Sequence, residues 1–277
     1  MARSRLIPFA KMSGSGNDFV IIDNRRELVP RRKMPAFVKA VCRRGLSVGA
    51  DGVIFIQKSR TTDFRWHYYN ADGGEAEMCG NGSRCAARFA VMHKIASRRM
   101  AFETLAGVIH ADVGAKGVTV ELPVPTDLRL NFTVDLGVKS YEAHFVNTGV
   151  PHTVVFVDDV ESVDVHHTGQ AIRYHRMFAP AGTNANFVAV DGPHRLTIRT
   201  YERGVEGETL ACGTGAVAAA VLAGLLGKVR SPVTLKTRGG PPLGVSFTLD
   251  GRRVTSVTLT GEARLVYEGS LTQEALL

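Results

Sequence analysis

Short, mostly apolar runs bounded by turn-forming residues recur along the chain, and each predicts a buried β-strand. These runs lie at 19–22, 53–56, 118–122, 154–157 and 187–190. Residues 195–200 and 254–259 instead alternate apolar and polar side chains, which is typical of strands with one solvent-exposed face. A last run at 265–267 is expected to return to the first half of the fold.

Two other segments are rich in alanine and predict helices, at residues 83–92 and 216–226. The second is apolar on every face, so we expect it to be surrounded by protein rather than to lie on a surface. Both helices follow the same tetrad, Cys-Gly-x-Gly, which begins at Cys79 in the first case and at Cys212 in the second.

The shared tetrad is part of an internal repeat. Residues 74–82 align without a gap with residues 207–215, and five of the nine positions are identical. Tyr69-Asn70 corresponds to Tyr201-Glu202 farther upstream, and a looser similarity joins residues 17–20 to residues 185–188.

Such a repeat predicts an α+β fold of two pseudo-repeat α/β domains, each a largely antiparallel sheet wrapped around a central apolar helix. We expect the first domain to contain residues 1–122 and 264–277, and the second to contain residues 123–263. The active site is then expected in the cleft between them, with one cysteine from each domain.

The net charge of +8 raises the question of nucleic-acid binding. The basic residues are scattered in short pieces and are not interleaved with aromatic residues, as a single-strand-binding surface requires. We therefore predict a solvated basic surface and neither a nucleic-acid nor a membrane partner. Residues 1–10 lack the apolar segment of a signal peptide, so a cytoplasmic location is expected.

The four cysteines show no C-x-x-C spacing, which argues against a structural zinc site and a thioredoxin-like site. Their number and spacing do not resemble a disulfide framework either. We expect Cys42 and Cys85 to be small core residues, and we expect no metal or other cofactor.

A cysteine at the start of a helix meets backbone N–H groups without helical acceptors and the positive end of the helix dipole, which both favour the thiolate. The glycines that follow allow a ligand to approach the backbone, whose N–H groups can bind a carboxylate. Each tetrad therefore combines a candidate base with an anion site.

Two such tetrads suit the inversion of an α-carbon, in which a base removes a proton from one face and an acid returns one to the other. The sequence thus predicts a cofactor-independent amino-acid racemase or epimerase that uses Cys79 and Cys212. A thiol–disulfide redox protein is the alternative from another class. A nucleotide site at Gly14-Ser15-Gly16 is disfavoured, because the sequence predicts no strand before it and Phe19 stands in the third glycine's place.

Six segments, in order, resemble the diaminopimelate epimerases, and the likeness covers nearly the whole chain. They are residues 11–19, 49–52, 70–82, 149–152, 182–187 and 201–215. The resemblance implies interconversion of LL- and meso-diaminopimelate in lysine and peptidoglycan precursor synthesis, without pyridoxal phosphate or metal, by a homodimer.

The same resemblance implies roles for particular residues. Cys79 and Cys212 would exchange the proton, while the backbone at Gly80-Asn81 and Gly213-Thr214 would hold the carboxylate of the reacting centre. The distal amino acid would be bound by residues from both halves, namely Asn17, Asn70, Asn184 and Arg203. Two further residues, His152 and Glu202, would lie near the thiols and adjust their protonation, Glu202 also contacting substrate.

Three positions depart from the family pattern. Ser13 replaces a common His, with little expected consequence. Val150 stands where the family commonly has a substrate-binding Asn, and a lost hydrogen bond of this kind is worth about 1 kcal/mol. Gly52 stands where some members have Gln. Another amino acid therefore remains an alternative substrate, and the repeat does not reveal which cysteine acts on which stereoisomer.

Overall fold

The computed structural model describes residues 6–115, 117–137 and 139–277. Its first elements are β1 (Ile7–Gly14), β2 (Asn17–Asp23), α1 (Met34–Val41), β3 (Gly52–Gln57), β4 (Phe64–Asn70), β5 (Glu75–Ala76), α2 (Gly80–Met92), β6 (Arg99–Thr104), β7 (Gly107–Gly114) and β8 (Gly117–Glu121). The chain continues with β9 (Thr126–Asp135), β10 (Ser140–Asn147), β11 (Pro151–Phe156), α3 (Val165–Arg173), β12 (Asn184–Gly192), β13 (Arg195–Glu202), β14 (Gly207–Thr209), α4 (Gly213–Leu225), β15 (Val233–Lys236), β16 (Leu243–Asp250), β17 (Arg253–Gly261) and β18 (Arg264–Leu271).

The strands predicted from apolar runs are confirmed as β2, β3, β8, β11, β12 and β18, and those predicted from alternation as β13 and β17. Both predicted helices are also present, but α2 begins at Gly80 and α4 at Gly213, directly after the cysteines. The glycines of each tetrad are thus the first helical turn rather than a loop before it.

The chain divides into two compact units, which consist of Met1–Val120 with Gly261–Leu277 and of Glu121–Thr260. Residues 1–5, 116 and 138 of these spans lie outside the described residues.

In the first unit the strand order is β18–β1–β2–β3–β4–β6–β7–β8, with β5 paired to β4. The pairs β2–β3 and β4–β6 are parallel, and the others in this unit are antiparallel. Strand β18 runs antiparallel to β1, with Leu271 opposite Ile7, which confirms the predicted return of the last strand.

In the second unit the order is β9–β10–β11–β12–β13–β15–β16–β17, with β14 paired to β13. The parallel pairs, β11–β12 and β13–β15, fall at the same places as in the first unit. The internal repeat is therefore a repeat of topology as well as of sequence.

This topology corrects one detail of the sequence alignment. Residues 17–20 lie in β2, whereas residues 185–188 lie in β12, and by strand order β12 is equivalent to β3. The looser similarity was misleading because buried strands share apolar composition whatever their position in the sheet.

Strands β2 and β3 are buried on both faces. One face carries Val20, Val53 and Phe55 and packs with Phe37 and Val38 of α1. The other face meets α2, where Gly82 lies close to the side chains of Ile54 and Trp66.

Helix α4 is buried from Gly215 to Ala223, which confirms the prediction of a helix surrounded by protein. It packs against β10, β11 and β16, among other strands of the second unit. Over the residues that the structure describes, no helix combines the length and apolarity needed to cross a membrane.

Candidate active site

Cys79 is the N-cap residue of α2, with an extended backbone (φ −147°, ψ 117°) that turns its side chain back toward the first helical turn. Its Sγ accepts a hydrogen bond from the N–H of Gly82 at 3.4 Å. The thiol also donates toward Oδ1 of Asn17, 3.8 Å away. Asn17, which the sequence predicts to bind substrate, therefore lies next to the thiol of Cys79.

The orientation of the Asn17 amide is set by Asp51. Asn17 Nδ2 donates to Asp51 Oδ2 at 2.6 Å, so the amide oxygen is the atom turned toward Cys79. Arg44 in turn bridges Asp51 and Asp18, at 2.8 and 2.6 Å.

The neighbouring Asp18 carboxylate is strongly held in its charged form. Burial by itself would raise the pKa of Asp18, but hydrogen bonds from Arg44 and Lys11 outweigh it and lower the pKa to about 2. The residues that support Asn17 beside Cys79 therefore form an ionic network that stays charged at neutral pH.

Asn70 lies at the end of β4 and is solvent-exposed, while Tyr68 lies two residues earlier on the same face of the strand. The Tyr68 hydroxyl donates to Asn70 Oδ1 at 2.8 Å. Burial raises the pKa of Tyr68, so the hydroxyl keeps its proton. Sequence reasoning missed Tyr68, although its spacing from Asn70 was a usable signal.

A second residue missed by the sequence is Arg84, whose side chain is completely buried behind the start of α2. Its hydrogen bonds reach four uncharged oxygens: Ser15 Oγ, Asn81 Oδ1 and the backbone carbonyls of Gly80 and Glu262. Burial lowers the pKa of Arg84. Since a guanidinium stays protonated in proteins, α2 begins beside a buried positive charge.

Cys212 is the N-cap residue of α4, again with an extended backbone (φ −111°, ψ 111°), and is only 8% exposed. Thr214 Oγ1 lies 3.4 Å from its Sγ. Glu202, which the sequence placed near a thiol, lies at the end of β13. Burial raises the pKa of Glu202, while the neighbouring side chains of Thr209 and Cys212 act against the rise.

Asn184 and Arg203 lie together in the second unit. Asn184 Oδ1 accepts the backbone N–H of Arg203 at 2.8 Å, and its Nδ2 donates to the Pro151 carbonyl at the same distance. The Arg203 guanidinium donates to the Ala181 carbonyl at 3.1 Å. Asn184 thus fixes the backbone that carries Arg203.

His152 is fully buried, with Nδ1 3.2 Å from Asn186 Nδ2. Burial and the positive charge of Arg203 lower its pKa to about 3, so the imidazole is neutral at neutral pH. The His152 imidazole can therefore affect the protonation of a thiol only as a neutral group.

The loop that contains Val150 lies against the start of α4. Thr148 Oγ1 donates to the carbonyl of Thr214 at 3.1 Å, and the Thr148 N–H donates to the Val150 carbonyl at 3.1 Å. The departure at Val150 therefore concerns the immediate surroundings of the second tetrad.

In both helices the intrahelical hydrogen bonds begin after the tetrad's second glycine. Ser83 N–H donates to the Cys79 carbonyl and Ala216 N–H to the Cys212 carbonyl, at 2.8 and 2.9 Å. The N–H groups of Gly80-Asn81 and Gly213-Thr214 precede these bonds, so they point out of the helix end as an anion site requires.

The two remaining cysteines lie in the core. Cys42 and Cys85 are buried, and desolvation raises the pKa of each to about 12, so both stay protonated. Within the described residues, the four cysteines form no disulfide, and no cluster of three or more His, Cys, Asp or Glu side chains is arranged to hold a metal ion.

Solved structures of low sequence identity share the fold. A phenazine biosynthesis protein of the PhzF family from Bacillus anthracis superposes with a TM-score of 0.76 at 15% identity, covering 97% of this chain and 99% of that one. A probable proline racemase from Agrobacterium radiobacter K84, with bound carbonate, gives 0.72 at 13% identity over 96% and 93% of the two chains.

Sequence relatives are much closer. A diaminopimelate epimerase from Hydrogenobaculum sp. is 47% identical over 95% of this chain and 98% of its own, and one from Aquifex aeolicus is 47% identical over 97% and 99%. The family profile described as diaminopimelate epimerase matches residues 9–125 and 144–266. On this evidence the chain belongs to the diaminopimelate epimerase family.

Proposed function

We propose that this protein interconverts LL- and meso-diaminopimelate in lysine and peptidoglycan precursor synthesis, using Cys79 and Cys212 as an acid/base pair. The observation that carries the proposal is the duplicated helix start, in which each unit has a cysteine as the N-cap of a central helix. Relatives named diaminopimelate epimerase, which match nearly the full length of the chain, support the substrate.

The reaction needs only proton transfer. One cysteine, as thiolate, takes the α-proton, and the electron pair of the C–H bond moves toward the adjacent carboxylate. The other cysteine, as thiol, gives its proton to the opposite face of the same carbon. The N–H groups at the two helix starts, Gly80-Asn81 and Gly213-Thr214, would bind that carboxylate and stabilise the charge that develops on it.

In this proposal each of the two units contributes one thiol. The distal amino acid would be bound by Asn17 and Asn70 of the first unit and by Arg203 of the second. Arg203 suits a carboxylate because a guanidinium can donate two parallel hydrogen bonds. Asn184 would act by holding the backbone of Arg203.

The surroundings of the thiols favour one resting protonation state. Arg84 places a buried positive charge next to the start of α2, whereas Val217 occupies the equivalent position in α4. Cys212 instead has the carboxyl group of Glu202 as a neighbour, and that group opposes a second negative charge. We infer that Cys79 is the cysteine that loses its proton more readily, giving up the S–H that points toward Asn17 Oδ1, while Cys212 stays the thiol.

A homodimeric state and a cytoplasmic location are also part of the proposal, on the strength of the family resemblance. Light scattering of the purified protein tests the homodimeric state directly, and a monomer at assay concentrations would contradict it.

The substrate is tested by α-proton exchange in deuterated water, with LL-diaminopimelate and a panel of single amino acids. We expect exchange with diaminopimelate. Exchange confined to another amino acid would contradict the substrate assignment and would point to a racemase on the same scaffold, the alternative that Val150 motivates.

The acid/base pair is tested by single substitutions. Cys79→Ala and Cys212→Ala should each lower the epimerisation rate by a factor on the order of 10²–10⁴, because each removes one of two required proton-transfer groups. Cys42→Ala and Cys85→Ala are the matched controls and should retain turnover, although they leave small core cavities. Full activity in either of the first two variants is incompatible with the mechanism.

A further inference from the structure

Each cysteine of the proposed pair follows, four residues later, a glutamate that lies in a very short strand. Glu75 lies in the two-residue strand β5 and Glu208 in the three-residue strand β14. Glu75 is opposite Tyr69 of β4 and Glu208 is opposite Tyr201 of β13, so the repeat gives both glutamates the same register. Strands this short have few cross-strand pairs, so other contacts are needed to hold the segments that lead to the cysteines.

The carboxylates make such contacts, and in each unit the partner is at the same position of the neighbouring strand. Glu75 Oε1 lies 2.9 Å from His67 Nδ1, and Glu208 accepts two parallel hydrogen bonds from Arg199, at 2.7 and 2.8 Å. His67 and Arg199 each come two residues before the tyrosine opposite the glutamate, which makes them its diagonal neighbours on one face of the sheet. Arg31 adds two further hydrogen bonds to Glu75, at 2.8 and 2.7 Å.

These contacts are partly shielded from solvent. The side chains of His67 and Arg199 are each 12% exposed, and those of the two glutamates are 21% and 24% exposed. Arg199 is also fixed by donation to the carbonyls of Val160 and Val163, at 3.0 and 3.3 Å. Fully exposed ion pairs contribute little, whereas shielded bidentate pairs define a geometry. The two carboxylates therefore serve as anchors of the segments that carry them.

A second anchor follows two residues after each glutamate, and it is repeated as well. The Glu77 carbonyl accepts the N–H of Ala106 at 3.3 Å, and the carbonyl of Leu210, the aligned residue, accepts the N–H of Gly239 at 2.7 Å. Ala106 lies in the β6–β7 turn and Gly239 in the β15–β16 turn, and these hairpins are equivalent by strand order. Each segment is thus held at two points before its cysteine.

We propose that Glu75 and Glu208 are equivalent positioning residues, each of which anchors the segment leading to its cysteine and so fixes that cysteine as the N-cap of its helix. The inference rests on the proposed function, which makes the two cysteines the acid and the base. An N-cap thiolate is stabilised only while its sulfur lies against the first helical N–H groups, as Cys79 Sγ does with the N–H of Gly82 at 3.4 Å.

The sign of the effect separates positioning from a direct effect of charge. Removal of a carboxylate near a thiol favours the thiolate through space and would lower the pKa of the thiol. Removal of an anchor loosens the helix start, weakens the stabilisation of the thiolate and would raise the pKa of the thiol. One substitution therefore gives opposite results for the two explanations.

The test uses Glu75→Gln and Glu208→Gln in the full-length protein, because glutamine keeps the size of the side chain and removes its charge. Iodoacetamide alkylation is measured over a series of pH values, and each cysteine is followed separately by mass spectrometry. In Glu75→Gln we expect the alkylation midpoint of Cys79 to rise by about half to one pH unit, since a capping contact is lost. The midpoint of Cys212 should stay unchanged in this variant and rise in Glu208→Gln. This readout requires no substrate.

The epimerisation rate gives a second readout. We expect kcat to fall by a factor of about three to ten in each variant, because misplacement of a reacting group slows the proton transfer. KM should stay nearly unchanged, since neither glutamate is among the residues proposed to bind substrate.

Glu77→Gln is the matched control, because it makes the same change of charge two residues nearer to Cys79. The Glu77 side chain is exposed and takes part in no ion pair among the residues that the structure describes. This variant should leave the alkylation profiles and kcat as they are in the wild type.

The proposal is overturned if the profile of the anchored cysteine stays in place or moves to lower pH, or if both cysteines respond alike to one glutamate substitution. A lower melting temperature with unmoved profiles also overturns it, since the glutamates would then serve stability alone. If the profiles move as expected but the wild-type enzyme exchanges no α-proton of diaminopimelate, the positioning role stands and the proposed substrate fails.

Discussion

At the scale of single residues, Cys79 and Cys212 share a backbone position but differ in the groups around the sulfur. The helix dipole contributes about 0.3–1 kcal/mol at either helix start, so it cannot distinguish them. A hydrogen bond to a charged group is worth about 1.5–3 kcal/mol, which is larger. We therefore expect the groups around each sulfur, the buried Arg84 beside the start of α2 and the Glu202 carboxyl near Cys212, to decide how the proposed pair shares its proton.

His152 leads to a prediction about stability and pH. Its pKa is about 3 in the folded protein against a usual value of 6.5, so between these limits the unfolded chain binds a proton that the folded chain does not. Stability should therefore fall as the pH decreases below about 6.5, by up to about 1.4 kcal/mol per pH unit from this group. Melting temperatures at a series of pH values measure the slope.

His152→Gln should flatten that slope, although the substitution itself lowers stability at neutral pH. His110→Gln, at an exposed position, is the control and should leave the slope as it is. Equal slopes in the wild type and His152→Gln would mean that His152 is not held neutral by burial.

The sequence singled out the two cysteines that we propose to react, because their flanking residues are repeated, but it missed residues that surround them. Asp51 contacts Asn17 only once β2 and β3 lie side by side. The importance of Arg84 depends on its complete burial, which composition does not reveal. A basic residue inside an alanine-rich helix, five positions after the cysteine, was the available signal.

At the scale of elements, the second glycine of each tetrad allows the helix start to lie directly on its sheet. A Cβ at Gly82 would lie 3.2 Å from Ile54 Cδ1, and one at Gly215 would lie 2.5 Å from Asn186 Oδ1. Asn186 is itself fixed by hydrogen bonds to Thr200 and to the Thr153 carbonyl, at 2.9 Å each. Asn186 is therefore less able than Ile54 to move away from an added Cβ.

This close approach predicts the outcome of Gly215→Ala. Alanine in place of glycine gains up to about 1 kcal/mol of helix propensity, but overpacking of this kind costs about 1–3 kcal/mol and displaces the start of α4. We expect a lower melting temperature and a reduced epimerisation rate. Gly207→Ala, where a Cβ meets open space, is the control. A fully active, equally stable Gly215→Ala protein would contradict the packing described for the helix start.

Some fully buried elements were predictable from the sequence, whereas two partly exposed ones were missed. The apolar runs of β2 and β3 and the helix α4 were found, since both faces or all sides of these elements are covered. Strand β9, which is mostly exposed, and the short amphipathic helix α3 gave no comparable signal. Their positions depend on tertiary pairing, which outweighs local propensity.

At the scale of the whole molecule, the two units have the same strand order, but their outer strands come from different parts of the chain. Strand β9 begins the second unit, whereas β18, the last strand of the chain, fills the equivalent place in the first. The first unit is therefore complete only when the C-terminal strand has paired with β1. The duplicated topology supplies two equivalent helix starts, and the proposed chemistry needs both.

The central claim is that two thiols act on opposite faces of one carbon. It is tested most directly by measuring where deuterium is incorporated during the first turnovers. LL-diaminopimelate is incubated with the enzyme in deuterated water, and the deuterium at the α-carbon is measured separately in product and in recovered substrate. The account predicts deuterium at the inverted centre of meso-diaminopimelate from the first turnovers, while recovered LL-diaminopimelate stays unlabelled, because the abstracted proton and the returned one are held by different cysteines. Deuterium entering recovered substrate as fast as product would show a single base serving both faces, and would contradict it.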